Sequence, residues 1–311
     1  CGTNFYLRIR TVDSAVPPST STTVTAFTYG VTGGVNIINN QSGDNAWRAS
    51  NTGLYDVDFS DSCGFDLDYV EYTFWSAAGM GSGTGTELVP WTTFLGPALS
   101  GTSYTTDWGI HNADFTSAAD GINWVTIRAF DTGGLTVTAT DVFYILKDTV
   151  PPDNPAVSGY DTSGKAVTLT DGNWYGYANP YFEWAAASDL PAALNSGIKQ
   201  YVLYFGTDAA GTPDYATSAT SYTATQTLVS GETYYLRIKT VDNVDNATSV
   251  TTVFTYKYDS TPPPFTYNSP TAGGNTAWYS ADPGAIIDID LGWSGGSPLT
   301  AYRYRIAAGT W

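Results

Sequence analysis

A segment of eight residues occurs three times along this chain. Residues 235–242 read YLRIKTVD and residues 6–13 read YLRIRTVD, while residues 124–131 read WVTIRAFD in a looser copy. The copies begin 118 and then 111 residues apart. Solenoid repeats have periods of roughly 20–50 residues, so this longer period predicts one whole small domain per repeat. The sequence therefore describes a string of similar domains.

The residue composition indicates that each domain is built from β-strands. Ser, Thr, Gly and Asn are abundant, and 23 Tyr dominate an aromatic content of 15%. Strand formers separated by frequent turn formers are typical of all-β proteins. In residues 234–241, alternation places Leu236 and Ile238 on one face and Arg237 and Lys239 on the other, as in a half-buried strand. Roughly seven short strands in about 110 residues predict a two-sheet sandwich.

Two Pro-Pro linkers mark boundaries between the predicted domains. They stand at residues 151–152 and 262–263. Proline fixes φ and lacks an amide donor, so it stops a strand and stiffens the joint. The predicted segments are the C-terminal half of one repeat, two complete repeats and the N-terminal half of another, at residues 1–32, 33–150, 151–263 and 264–311.

The half-repeats at the two ends would expose a core face and unpaired strand edges. Two explanations are open. The chain is either an excerpt from a longer array, or its half-repeats are completed between copies. In the second case the half-repeat at the C-terminus of one copy completes the half-repeat at the N-terminus of the next through strand addition, which would build a head-to-tail filament. We favour the excerpt, because the two halves together are shorter than one complete repeat.

Several segments resemble fibronectin type III domains. Residues 228–234, LVSGETY, are similar to the start of a late strand of that family, and residues 182–184, FEW, and 201–204, YVLY, are similar to its early strands. With its Pro-Pro linkers, the chain resembles the tandem Ig-like/fibronectin III-like arrays of large bacterial or archaeal surface proteins. The resemblance implies an all-β chain of tandem Ig/FnIII-like β-sandwich domains, arranged as beads on a string outside the cell or on its surface.

The same family places a buried tyrosine ahead of this late strand, and its hydroxyl bonds to the backbone a few residues upstream. Tyr234 fits that position. Phe5 and Asn123 stand at the equivalent positions of the other copies and lack the hydroxyl. The resemblance therefore predicts the tyrosine bond in one of the three copies.

The sequence gives no support for a catalytic constellation. His111 is the only histidine and lies in a loop without a nearby nucleophile motif, and zinc would need more His and Cys. Asp56 and Asp58 could be read as a glycosidase pair, but they alternate with Val57 and Phe59 like the wet face of a half-buried strand. We predict that the chain is not an enzyme, and we assign no catalytic or cofactor-binding residue.

The charge of the chain limits its partners and suggests one cofactor. A net charge of −17 arises from 29 acidic residues against 12 Lys and Arg, which disfavours nucleic acid and anionic lipid. No run of about 18 apolar residues occurs, so we expect no membrane-spanning segment. Loop carboxylates can bind calcium, and the candidates are Asp148, Asp153, Asp242 and Asp245. The alternative is that these residues only form turns.

Tryptophan recurs at one position of the repeats, in Trp47, Trp174 and Trp278. We expect these side chains to fill the core of each sandwich, and the alternative is an exposed platform that stacks on sugars.

Cys1 and Cys63 are the only cysteines and stand in different repeats, so the sequence leaves the partner of each open.

Together these patterns predict a non-enzymatic, extracellular structural and adhesive array, as a segment of a longer cell-surface or filament-forming protein. The expected partners are other copies of the chain or neighbouring repeats, head to tail, with surface glycans as a second class. The alternative is an array of carbohydrate- or ligand-binding accessory modules. Exposed coplanar aromatic side chains would favour that alternative, and buried tryptophans would favour the structural role.

Overall fold

The computed structural model describes residues 3–15, 17–20, 24–31, 34–41, 46–97, 99–192, 194–267, 289–291, 297–298 and 300–301. Within it the chain divides into two compact units. The first comprises Cys1–Val150 with Leu190–Ser196, and the second comprises Pro151–Asp189 with Gly197–Trp311. Cys1 and Trp278 lie outside the described residues.

The first unit holds ten strands and one helix among its described residues. In chain order they are β1 (Thr3–Ile9), β2 (Val24–Val31), β3 (Val35–Asn39), β4 (Trp47–Arg48), β5 (Val57–Asp61), β6 (Leu67–Trp75), β7 (Glu87–Leu95), β8 (Ser103–Tyr104), α1 (Asn112–Ser117), β9 (Gly121–Asp131) and β10 (Thr136–Lys147). β1 and β2 form an antiparallel pair. The other strands form a three-stranded sheet, β3-β5-β8, and a five-stranded sheet, β4-β10-β9-β6-β7.

The core of the first unit combines the inward faces of these two larger sheets. In β5 the burial alternates as the sequence predicts, because Val57 and Phe59 are buried while Asp58 is only partly covered. Tyr72 from β6 and Ile127 from β9 pack into the same cluster. Each such side chain contributes about 1.5–3 kcal/mol on burial. No described helix of the chain is both long and apolar enough to cross a membrane.

The second unit holds eleven described strands. They are β11 (Val157–Tyr160), β12 (Thr168–Leu169), β13 (Trp174–Tyr175), β14 (Tyr181–Trp184), β15 (Ile198–Gly206), β16 (Tyr215–Thr217), β17 (Ser221–Thr223), β18 (Thr233–Asp242), β19 (Thr251–Tyr258), β20 (Phe265–Tyr267) and β21 (Ile289–Leu291). The sheets are β12-β11-β14-β17, β13-β19-β18-β15-β16 and the pair β20-β21. As predicted, Leu236 and Ile238 of β18 are buried, whereas Arg237 and Lys239 are only partly covered.

The two units share one strand order. β3-β5-β8 in the first corresponds to β11-β14-β17 in the second, and β4-β10-β9-β6-β7 corresponds to β13-β19-β18-β15-β16. Two facing sheets of this order, antiparallel except for the parallel edge strands β4 and β13, joined over a mixed aromatic and aliphatic core, define an Ig/FnIII-like sandwich. The predicted all-β class and the fibronectin III-like fold are therefore confirmed.

The tyrosine bond of the second unit is also present. Tyr234 is buried, and the Val229 N–H donates to its hydroxyl oxygen over 2.7 Å. In the first unit the buried Asn123 makes a comparable link with its amide. It accepts from the Ala119 N–H at 3.0 Å and donates to the Ala119 carbonyl at 2.8 Å. The missing hydroxyl is thus replaced by another side chain that also reaches backbone upstream.

The expected core role of the recurring tryptophans is wrong for both described members. Trp47 and Trp174 lie in the two-residue strands β4 and β13, at a sheet edge, and both are only half-buried. In the described part of the chain, the buried indoles belong to Trp108 and Trp184 instead. The recurrence marks an edge strand that pairs parallel to the last strand of each sandwich, where the side chain is only partly covered. Cys63, whose partner the sequence left open, is disulfide-bonded.

Candidate functional site

The aspartate that ends each copy of the repeated segment binds the turn that follows it. Asp242 is buried, and its Oδ1 accepts the N–H groups of Val244 and Asn246 at 2.9 and 2.8 Å. Asp131 is buried too, and its Oδ1 accepts the Leu135 N–H at 2.8 Å. A carboxylate that satisfies turn amides explains why this residue recurs.

The first copy shows the same arrangement at Asp13. Its Oδ1 accepts the N–H groups of Ser19 and Ala15 at 2.8 and 3.0 Å. These donors, Ser19 before Ala15, hold the pKa of Asp13 below its usual value, because they stabilise the charged form. All three copies therefore use one carboxylate oxygen to organise the chain reversal after a strand.

The linker aspartates have a different and equally repeated role. Asp148 and Asp259 each stand three residues ahead of a Pro-Pro pair. The Oδ2 of Asp148, which is fully buried, accepts the Ser196 N–H at 2.7 Å, and its Oδ1 accepts the Val150 N–H at 3.3 Å. This carboxylate therefore ties the linker to a loop segment more than forty residues later in the chain.

Asp259 repeats this pattern in the second unit. Its Oδ2 accepts both the N–H and the hydroxyl of Ser297, at 2.6 and 2.7 Å, while its Oδ1 accepts the Thr261 N–H at 3.0 Å. The Ser230 hydroxyl adds a further bond to Oδ1 at 2.9 Å. These donors, the Ser297 hydroxyl first, lower the pKa of Asp259 to about 2. Ser196 and Ser297 were not predicted from the sequence as partners of these aspartates. The signal that could have indicated a common arrangement is the equal spacing between each aspartate and its Pro-Pro pair.

The four calcium candidates have different surroundings. Asp148 belongs to the first unit, and the other three belong to the second. Asp153 is exposed, and Asp245 has a side chain that is 73% exposed and accepts a hydrogen bond from the Lys199 ammonium. Asp242 lies beside Asp189, a buried residue that was not among the candidates, with carboxylate oxygens within 4.8 Å of each other.

This aspartate pair is held by amide donors. The Gly197 N–H donates to Oδ2 of Asp189 at 2.8 Å, and the Asn246 side-chain amide donates to Oδ2 of Asp242 at 2.8 Å. Donors of this kind stabilise buried carboxylates and offset their mutual repulsion. The pair is therefore held by hydrogen bonds in the structure, and calcium at Asp242 stays a prediction.

His111 serves to position a helix. Its backbone N–H donates to the Tyr72 hydroxyl at 2.9 Å, and that hydroxyl donates to Oδ2 of Asp114 at 2.6 Å. The imidazole is half exposed, with its Nδ1 3.6 Å from the same carboxylate oxygen. Burial, followed by the bond to Asp114, raises the pKa of Tyr72. This group fastens the start of α1 to β6, as expected for a structural histidine.

The outward face of the five-stranded sheet in the first unit carries a cluster of aromatic and charged side chains. The Arg128 guanidinium lies 4.1 Å from the centre of the Trp91 ring and pairs with Glu71 at 2.5 Å. Next to it, the rings of Tyr69 and Phe130 stack at 4.1 Å. Cross-strand pairs of this type each stabilise a sheet by about 0.2–1 kcal/mol. All five residues are partly buried.

Comparison with known proteins gives distant matches of fold. No family model matches the chain, and no curated protein matches it. The fibronectin(III)-like modules of CbhA from Clostridium thermocellum match at 13% identity and a TM-score of 0.25, over 72% of this chain and 93% of that one. The FN1–FN3 domains of chicken CNTN1 match at 11% identity and a TM-score of 0.23, over 80% of this chain and 77% of that one.

Proposed function

We propose that the chain is a non-enzymatic structural and adhesive array that works outside the cell, as a segment of a longer surface or filament-forming protein. One observation carries the proposal: the two linkers repeat the same aspartate-to-serine bond, at Asp148 with Ser196 and at Asp259 with Ser297. A joint built twice with the same chemistry suits a protein whose repeats must be connected in a defined way.

The surroundings of the polar groups support a non-enzymatic role. The carboxylates of Asp242 and Asp148 are engaged with backbone amides, and the His111 imidazole lies 3.6 Å from the Asp114 carboxylate. Catalytic acids and bases instead need to face a position where a substrate can sit. The partners that fit this proposal are neighbouring repeats and further copies of the chain, with surface glycans as adhesion targets.

Single-molecule force spectroscopy tests the array role directly. The two complete repeats are expected to unfold in two separate events, each releasing roughly 3.3–3.6 Å of chain per residue. The Asp148→Ala variant is expected to lower the unfolding force of one event, because the buried acceptor of the Ser196 N–H is lost. The matched control is Asp153→Ala, which removes an exposed carboxylate from the same linker region.

A single unfolding event for the whole chain, or equal effects of the two substitutions, would overturn the array role.

The extracellular location needs its own test. Antibodies raised against the chain are expected to label intact cells of the source organism. Labelling that requires prior permeabilisation of the cells would contradict the proposed location.

A further inference from the structure

An open cleft lies in the second unit, between two edge strands that belong to different sheets. β16 ends the five-stranded sheet and β17 ends the four-stranded sheet, and each is three residues long. The cleft between them has a volume of about 550 Å³. Ligand sites of proteins usually enclose roughly 300–1,000 Å³. The cleft is therefore large enough for a small organic ligand.

The floor of the cleft is the edge of the sandwich core. Leu203, which is buried, and Phe205 line it from β15. The Phe205 ring is held in place by Tyr234 at 5.5 Å and Phe182 at 5.4 Å between ring centres. A floor fixed by core packing is preorganised, so a ligand would not have to order it.

Two tyrosines form the walls. Tyr215 from β16 is 54% exposed, and Tyr222 from β17 is half-buried. Their ring centres are 5.8 Å apart with a tilt of 56°. Tyr222 also contacts Phe205 at 6.0 Å, which connects the walls to the floor. An exposed aromatic face that is supported from below is a ready surface for stacking.

The remaining lining is rich in hydroxyl groups, and among the residues that the structure describes it includes no cationic side chain. Ser221, Thr223 and Thr225 contribute hydroxyls, and Asp214 contributes a carboxylate. Burial, followed by the neighbouring Tyr215 and Asp214, raises the pKa of Tyr222, so its hydroxyl stays protonated at neutral pH. The lining thus offers donors, acceptors and apolar ring faces, while a carboxylate and a net charge of −17 oppose anionic ligands.

We propose that this cleft binds a neutral saccharide, with sugar C–H faces stacked on Tyr215 and Tyr222 and sugar hydroxyls bonded to Asp214 and the threonine and serine side chains. Neutral saccharides combine apolar faces with many hydroxyls, and this combination matches the lining. The inference deepens the adhesive part of the proposed function, for which surface glycans are the targets. It does not depend on the structural part, because an array can be structural whether or not its repeats bind sugars.

Binding by the full chain can be measured by titration calorimetry and by NMR. The probes are neutral gluco-, galacto-, manno- and xylo-oligosaccharides of two to six units. At least one probe is expected to bind, and Tyr215→Ala is expected to weaken its binding at least ten-fold. Asp214→Asn tests the carboxylate and is expected to weaken binding several-fold. Tyr160→Ala is the matched control, because Tyr160 lies in β11 of the same unit and does not line the cleft.

Three outcomes would overturn the proposal. The first is that no probe binds at millimolar concentration. The second is that Tyr215→Ala and Tyr160→Ala have equal effects on binding. The third is that tetramethylammonium, tested in parallel, binds to the cleft while the neutral saccharides do not, since tyrosines beside a carboxylate would then form a cation site. Circular dichroism of Tyr215→Ala, whose side chain is largely exposed, verifies that the variant is folded.

Discussion

Replacing Asn123 by alanine tests whether a buried amide has taken over the role of the tyrosine bond in the first unit. Asn123 is fully buried. Its side chain accepts from the Ala119 N–H at 3.0 Å and donates to the carbonyls of Ala119 at 2.8 Å and Gly121 at 3.2 Å. It also donates to the Ile145 carbonyl at 3.4 Å. The substitution removes all four bonds and adds no new group.

The expected cost follows from these bonds. A hydrogen bond contributes about 0.5–1.5 kcal/mol net, and a buried group left without a partner costs about 1–3 kcal/mol. Ala119 is exposed, so water can satisfy its N–H and carbonyl in the variant, whereas Gly121 is buried. We expect Asn123→Ala to lower the free energy of unfolding of the first unit by about 2–4 kcal/mol.

Tyr234→Phe provides the comparison in the second unit. It removes one bond, from the N–H of Val229, a residue that is 59% exposed, and keeps the ring packed on Phe205. The expected cost is about 0.5–1.5 kcal/mol. Asn123→Asp keeps the acceptor for the Ala119 N–H but places a buried carboxylate oxygen against the Ala119 and Gly121 carbonyls, so it should cost at least as much as Asn123→Ala.

Hydrogen exchange with mass spectrometry, performed over a urea series on the full chain, reports the stability of each unit separately. Asn123→Ala should destabilise the first unit and leave the second unchanged. If Asn123→Ala costs less than Tyr234→Phe, or if its effect appears in the second unit, the amide is not the substitute for the tyrosine bond and the reasoning fails.

Two further predictions concern carboxylates. Because its donors hold the pKa of Asp259 at about 2, below its usual 3.8, the stabilisation it provides is complete above pH 3.8 and is lost as the pH falls towards 2. NMR titration should show this pKa, and Ser297→Ala should raise it, whereas an unchanged pKa would contradict the bond. Asp242→Asn should destabilise the second unit by about 1–3 kcal/mol, as acceptors for turn amides are weakened while repulsion from Asp189 is relieved. Thermal melts with calcium and with a chelator extend this test. If calcium raises the melting midpoint of the wild type but not of Asp242→Asn, a metal is bound at Asp242. If the variant melts lower by the same amount with and without calcium, the hydrogen-bonded role alone is established.

Alternation along strands was a sufficient basis for much of the fold. The patterns of β5 and β18 have period two, so the buried faces of Phe59 and Leu236 follow from local sequence. The core role expected of Trp47 and Trp174 failed for a related reason. Recurrence identifies an equivalent position but does not say whether that position lies in a central or an edge strand, and both residues lie at an edge.

The candidate sites were harder to predict, because they depend on contacts between distant parts of the chain. Asp148 was identified as a candidate, but its partner Ser196 is 48 residues away and carries no local signal. The cleft beside Tyr215 and Tyr222 is formed where the edges of two sheets meet, and strand pairing must be known before that edge can be located. Sequence periodicity reports on single strands and does not determine which edges become neighbours.

Comparison of the repeats within this one chain separates what the fold requires from what a joint requires. In the second unit the Tyr234 hydroxyl forms a hydrogen bond with the backbone just before β18, and in the first unit the side-chain amide of Asn123 forms a comparable bond with the backbone just before β9. The fold therefore uses the same bond in both units but forms it with different side chains. At the linkers the chemistry itself is kept, with a carboxylate bonded to a serine N–H at both Asp148 and Asp259. A sandwich can be stabilised in many ways because its core energy is distributed over many side chains. Both linkers of the chain place this carboxylate three residues ahead of the Pro-Pro pair, so here position and chemistry recur together.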